Sequence, residues 1–499
     1  MRARILTGGV AACAVVIGVI AACGGGGGGG GGYGSGMGAG MGGGGSYGGG
    51  SGGNNNPPPT VAFSTPAQAM SINLGQAVKL AWSANYATSC TASTSSPTGG
   101  TFSGSQSPSG QMSVVPTATG SVTYTLTCSG AGGMITATSP AVTVNPSILS
   151  QLASVKAVTI GTTVDPMNGD GNPYGLAIAP VTAGLINAGD LVVCNFNNGA
   201  NPSVQGQGTT IVGLHPTPAA NLGGKPYRIA QDARLRGCNA VAMLPDDSIA
   251  AAALVSNMNL LVSPNGMVNT PFAGDTFASP WGEVYVAAKG ANPAALYVSN
   301  LDGSIDRIEL NGDVPTSFTP IASGFCGSGV PGAIYAPAGL TYDPSIDTLY
   351  IVDTSSNSVV AFANVSSIAA GGVMVNGDCK SVASPPTPVP TFGGASAASA
   401  RVIAHGAPLF TPITAALLAD GDLIVTNGDT NIGAGQMQNL AVEISPVLPG
   451  GFVGQPLQLD SGGSGALFGI VATVDAQGHQ IIYFNDDNPP NTVMMLATP

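Results

Sequence analysis

Charge is the first thing this chain of 499 residues has little of. Only 7% of its residues are charged, with 12 Lys and Arg against 24 Asp and Glu, for a formal net charge of −12. A protein that grips phosphate backbones or anionic headgroups needs clustered Lys and Arg. Nucleic acid is therefore excluded as an expected partner. Histidine is scarcer still, with three residues, and aromatics make up 5%. No Cys-x-x-Cys or Cys-x-x-Cys-His occurs, which argues against zinc ribbons and attached haem. A surface so poor in charge must be built from Ser, Thr, Asn, Gln and Gly, a composition ordinary for an exported β-rich protein. What is abundant is glycine, 76 residues, and proline, 38, divided between low-complexity sequence and turns.

At the N-terminus Arg2 and Arg4 precede an uncharged stretch from Ile5 to Ala22, which ends Ile20-Ala21-Ala22-Cys23. A basic start, an apolar centre and small residues before a cleavage point are the parts of a secretory signal. The stretch is rich in Ala and Gly rather than Leu and has no basic stop-transfer cluster, unlike a spanning helix. Its ending resembles the lipobox of bacterial lipoproteins. That resemblance implies a signal peptide over 1–22, thioether lipidation of Cys23 and a membrane attachment made through the lipid. Gly24 follows where an inner-membrane retention signal would have Asp, so the expected address is the cell envelope at the outer membrane. Residues 23–59 read as a disordered Gly/Pro-rich tether, because glycine coil cannot bury a core. About 36 such residues span roughly 30–36 Å. Gly-x-Ser-x-Gly around Ser46 and Ser51 falls inside this tether, where no strand or helix can make it a nucleophile elbow.

From residue 60 to 146 the pattern alternates. Val78, Leu80 and Trp82 oppose Lys79, Ala81 and Ser83; Val122, Tyr124, Leu126 and Cys128 oppose Thr123, Thr125 and Thr127. Such period-two patterning predicts two packed sheets, a small β-sandwich. The stretch resembles bacterial immunoglobulin-like domains near lipoprotein anchors, although Trp82 precedes Cys90 and no Tyr lies two residues before Cys128. A spacer role is expected of it.

Residues 150–499 repeat one unit: an apolar strand, a turn, a second apolar strand ending in Asn or Asp, and a third strand. The second strands read Leu191 to Asn195, Leu296 to Asn300, Leu349 to Asp353, Leu423 to Asn427 and Ile482 to Asn485, with a weaker copy ending at Asn257. One such unit cannot bury both its faces, so six must stack in a ring, a six-bladed β-propeller. The last unit is one strand short, and Val155 to Thr163 could supply it and close the ring. The repeats resemble the NHL type of propeller, and most closely a group of exported NHL-like proteins. The shared wording is Asn168 to Gly175, Cys194 to Asn198, Gly208 to Ile211, Pro280-Trp281-Gly282 and Ala419 to Asp429. That group has no settled activity, so the resemblance implies fold and compartment only. The fold class is all-β: a sandwich followed by a propeller.

Several residue sets stand out as candidate chemistry. Asn195, Asn300, Asp353, Asn427 and Asn485 at strand ends could line the central channel, although side chains of this kind also satisfy the backbone of the next turn. A catalytic residue is expected to break the repeat, not obey it. His405, before a first strand, could reach the channel mouth. His215 and His479 read as loop residues. Asn168, Asp170 and Asn172 place oxygens at alternate positions, as a Ca²⁺ loop does, but no bidentate Glu follows. A Zn²⁺ shared by the histidines would be the other metal. No bound cofactor is expected beyond these two ions. Six cysteines remain after Cys13 and Cys23: Cys90 with Cys128, Cys194 with Cys238 and Cys326 with Cys379 are the expected disulfides. The expected protein is a monomeric, lipid-anchored binding or scaffolding module for a protein, glycan or small molecule. The rival is a lyase- or lactonase-like enzyme with a channel-bound divalent metal.

Overall fold

The computed structural model describes residues 56–272, 277–330, 333–377, 387–428, 439–460 and 467–499, with side chains at 329, 330, 333 and 334 left aside. Cys23, the leader and most of the tether lie outside the described residues, as does Cys379.

Alternation shapes the first domain. Val78–Asn85 is flanked by Thr60–Thr65 and Ser109–Val114, and its Val78, Leu80 and Trp82 are buried while Lys79 and Ser83 are exposed. Facing it, Ser89–Thr94 lies between Gly104–Gln106 and Tyr124–Gly130 in a four-stranded sheet completed by Gly133–Thr138. Trp82, Phe102, Tyr124, Leu126, Val142 and Val144 fill the space between the layers. The Cys90–Cys128 disulfide forms as expected. It joins residues directly opposite each other on neighbouring strands of one sheet, not two sheets across a core.

A short helix, Ile148–Leu152, leads into the second domain. Glu443 caps it from outside, accepting the main-chain N–H groups of Ile148 at 3.1 Å and Leu149 at 2.6 Å. The sandwich also touches this region: Ser445 donates to the Gly75 carbonyl and Asn73 donates to Asp420.

Six antiparallel sheets then follow in order, each with its first strand innermost. The inner strands are Gly171–Ile178, Cys238–Met243, Pro280–Val286, Pro337–Asp343, Pro412–Leu417 and Ile470–Val474, defining blades 1 to 6. Blade 3 is extended by Val373–Asn376 and Thr391–Gly393. The ring closes as the strand count required, because Val158–Thr162 pairs with Thr492–Ala497 and supplies the outer strand of blade 6.

The continuous apolar second strands now have a physical explanation. Each blade is covered on both faces, so neighbouring residues of one strand face different blades. Leu349 and Ile351 pack toward blade 3 with Tyr297 and Ile305, whereas Tyr350 and Val352 pack toward blade 5 with Leu423 and Val425. One apolar cluster fills each of the six interfaces. Burial on both faces removes the alternation a half-exposed strand would show.

Candidate functional site: the axial cavity

With the first strand innermost, the free edges of six strands face the axis. They enclose a cavity of about 400 Å³ that touches residues of all six blades. At the end where the inner strands begin, the axis is filled by aromatic rings. Tyr174 stacks on Phe468 at 3.8 Å and on Phe196 at 4.2 Å, and meets Trp281 edge-on at 6.0 Å. Tyr174 belongs to blade 1 and Trp281 to blade 3, which are not neighbours, so this contact crosses the axis. Edge-on and offset contacts of this kind suit the aromatic quadrupole.

A short pattern builds the wall. Aligned on their starts, the inner strands read Tyr174-Gly175-Leu176, Asn239-Ala240-Val241, Trp281-Gly282-Glu283, Ala338-Gly339-Leu340, Ile413-Thr414-Ala415 and Phe468-Gly469-Ile470. Proline precedes four of them, at Pro173, Pro280, Pro337 and Pro412. The second position is small because adjacent inner strands nearly touch there. A Cβ on Gly282 would lie 2.1 Å from the Ala338 carbonyl oxygen, and one on Gly469 2.4 Å from that of Tyr174.

The third position is apolar in five blades and is Glu283 in blade 3. This is the one acidic residue of the cavity wall, which holds no His or Cys among the described residues. Its Oε2 accepts a 2.6 Å hydrogen bond from Asn259 Nδ2 across the interface between blades 2 and 3. Its Oε1 is buried without a partner. Burial pushes the carboxyl up to about 8, against the Asn259 hydrogen bond and the nearby main-chain N–H groups of Ala252 and Ala242 in blade 2. Glu283 is therefore mostly protonated at neutral pH, its carboxyl lodged between blades 2 and 3 beside the cavity wall. Glu283 directly follows the Pro280-Trp281-Gly282 wording that carries the resemblance. Aligning the six inner strands on their small residue would have exposed the exception.

The expected channel residues lie elsewhere. Asn300, Asp353 and Asn427 end second strands and Asn195 and Asn485 lie within two residues of such an end, one strand outward from the axis, and none lines the cavity. Each instead clasps local structure, and the clasp is polar and buried. Asn195 donates to the Thr163 carbonyl, Asn427 accepts from Phe410 and donates to the Pro408 carbonyl, and Asn485 donates to the Tyr174 carbonyl. Asn300 accepts from the Ala278 N–H and donates to Asp306, while Asp353 accepts from Ser355 and Ser356. His405 ends the outermost strand of blade 4, the far side from the axis, where its Nε2 is 3.3 Å from Thr387 Oγ1. Its nearness to a first strand in sequence misled, since the chain must run from the rim back to the axis between blades.

The Asn168, Asp170 and Asn172 oxygens are likewise not gathered as ligands. Asp170 Oδ2 accepts from the Thr209 N–H and hydroxyl, Asn168 Oδ1 accepts from the Asp170 N–H, and Asn168 itself is exposed. Burial raises the Asp165 carboxyl, but the Arg228 hydrogen bond and the Asn168 and Met167 N–H groups outweigh it and lower it on balance. The segment is a polar turn that staples the entry to blade 1. His215 bonds Asp190 and His479 bonds Asp475. Among the described residues no three His, Cys, Asp or Glu side chains converge as a metal requires. The donor set thus fits neither of the two expected ions. Cys194 and Cys238 form the expected bridge between the second strand of blade 1 and the first of blade 2. Cys326 is disulfide-bonded.

No family model matches the chain, and no curated protein matches it. Among solved structures, a catalytically inactive virginiamycin B lyase from Staphylococcus aureus with quinupristin is 14% identical, covering 68% of this chain and 98% of its own, with a TM-score of 0.37. A gluconolactonase from Xanthomonas campestris is 14% identical over 68% and 97%, with a TM-score of 0.39. A nidogen/laminin complex is 15% identical over 56% and 77%, with a TM-score of 0.35. Likenesses this distant carry no argument about chemistry; the six-bladed propeller is read from the chain's own sheet order.

Proposed function

We propose that the axial cavity is a binding site for a small uncharged ligand, with Glu283 as its polar anchor. The observation that supports this reading is the single break in the sixfold wall pattern, placed at the cavity. A protonated carboxyl donates to a ligand oxygen without requiring a counter-charge. The free strand edges add main-chain donors and acceptors, and the aromatic layer offers a flat floor. Pockets of this size with few polar groups are typical of small-molecule sites. The sandwich then serves as an immunoglobulin-like spacer, and Cys23 as the lipid anchor of an envelope protein.

Trp281 lines the cavity and Trp82 lies in the sandwich core, so quenching of Trp281 fluorescence reports entry of a ligand. A panel of neutral saccharides and lactones should yield one that quenches the protein but not Trp281→Phe, and that binds Glu283→Leu, which has no donor, at least about tenfold more weakly. A quenching ligand held equally by Glu283→Leu would refute the anchor. For the address, Cys23→Ser should move the protein from membrane to soluble fractions; unchanged attachment would refute lipidation.

A second reading has a specific observation behind it. A carboxyl that titrates near pH 8 is poised for general acid–base catalysis. Turnover of any panel lactone, lost in Glu283→Gln and falling through pH 8, would favour an enzyme over a binder.

A further inference from the structure

A second cavity, of about 240 Å³, opens between blades 3 and 4. The chain has 12 Lys and Arg in all, and two of them, Lys289 and Arg307, line this one space. Basic residues this scarce are not brought together by composition.

The guanidinium of Arg307 is fixed in place. Its NH1 donates to the carbonyls of Ser366 and Ile368, both at 2.9 Å, which belong to blade 4. NH2 reaches Glu309 Oε1 only at 3.5 Å, and Nε is buried with no hydrogen-bond partner. The Nε and NH2 edge of a guanidinium is the fork that accepts a carboxylate in bidentate fashion. Here Nε is closed to solvent and the Tyr297 hydroxyl shares the guanidinium, so NH2, with its one long contact to Glu309, is the part left to a ligand. Lys289 Nζ donates one bond, 2.6 Å to the Pro344 carbonyl, which leaves two N–H groups. Two acidic residues share the lining: Asp347 is already satisfied, accepting from the Tyr342 hydroxyl at 3.0 Å and the Ser366 hydroxyl at 2.6 Å, and Glu309 faces Arg307. Beside Arg307 NH2, the spare donors are those of Lys289. The rings of Tyr297 and Tyr342 supply apolar wall beside them.

We propose that this cavity binds a small organic carboxylate with a ring-sized body, held by Arg307 and Lys289 through its carboxylate and by the tyrosine rings through its body. An acidic monosaccharide has this chemistry. The site is separate from the axial cavity, with which it shares no lining residue.

The probe is D-glucuronate, titrated calorimetrically into the full chain, with D-glucose and inorganic phosphate as controls. Glucuronate should bind at least about tenfold more tightly than either control, because glucose lacks the charge and phosphate lacks the ring. Arg307→Lys and Lys289→Ala should each weaken it about tenfold, with quenching of Trp281 by a channel ligand unchanged. Should Arg307→Lys fail to fold, Lys289→Ala, in an exposed hairpin loop, decides alone. No glucuronate binding, equal binding of glucose or phosphate, or full affinity in Lys289→Ala would overturn the proposal.

Discussion

Replacing Glu283 by glutamine removes its titration with little change of shape, and the structure sets how large the consequence should be. Burial raises this carboxyl from the ordinary 4.5 to about 8. The folded protein therefore holds the proton more tightly than the unfolded chain does. Below about pH 4.5 both states are protonated and the group costs nothing. Between 4.5 and 8 the unfolded chain ionises while the native state does not, so stability falls as pH rises; above 8 the loss is complete. The full gap corresponds to on the order of 5 kcal/mol, with a slope of about 1.4 kcal/mol per pH unit. The glutamine variant lacks this dependence. Urea unfolding of both proteins from pH 5 to 9, followed by Trp281 fluorescence in a Trp82→Phe background, measures the difference. It should shift by roughly 3–4 kcal/mol in favour of the variant between pH 5 and 8 and then level off. Asp422, pushed up to about 8, and Glu443, pushed up to about 7, titrate in the same window. They are present in both proteins, so their contribution cancels in the difference. A difference that is flat with pH would refute the buried, protonated state of Glu283 and with it the donor role proposed above.

Other outcomes follow from the same geometry. Gly282→Ala places a Cβ 2.1 Å from a main-chain oxygen of the next inner strand, which no side-chain rotation can relieve; a loss of about 1–3 kcal/mol in urea unfolding is expected. An unchanged midpoint would mean the inner strands are not in contact. The Cys194–Cys238 bridge spans 44 residues of sequence, so the double alanine variant should lose about 4 kcal/mol. Dithiothreitol should then lower the melting temperature of that variant less than that of the natural chain.

Much of the fold was legible because its determinants are local or periodic. Burial on both faces writes itself as uninterrupted apolar strands such as Leu191 to Cys194, and a missing strand at the end of a ring has only the beginning of the ring to draw on. The sandwich strand Val78–Asn85 was legible through its alternation, and two cysteine pairs through their context.

The site was not legible in the same way. Asn195 and Asp353 looked functional because they recur, yet recurrence is what a turn clasp produces. Glu283 looked ordinary because one carboxylate in a strand has no meaning until its neighbours are known. Arg307 and Lys289 lie 18 positions apart in sequence and line one cavity only because the strand carrying Arg307 folds back along Ala294–Asn300. By itself, the sequence determined that the chain is all-β, poor in positive charge and built from a repeat that must close. Tertiary structure alone decided which strand faces the axis, which carboxyl loses its water and which cations converge. Period and composition belong to neighbouring residues along the chain, whereas desolvation and convergence belong to residues that only folding brings together.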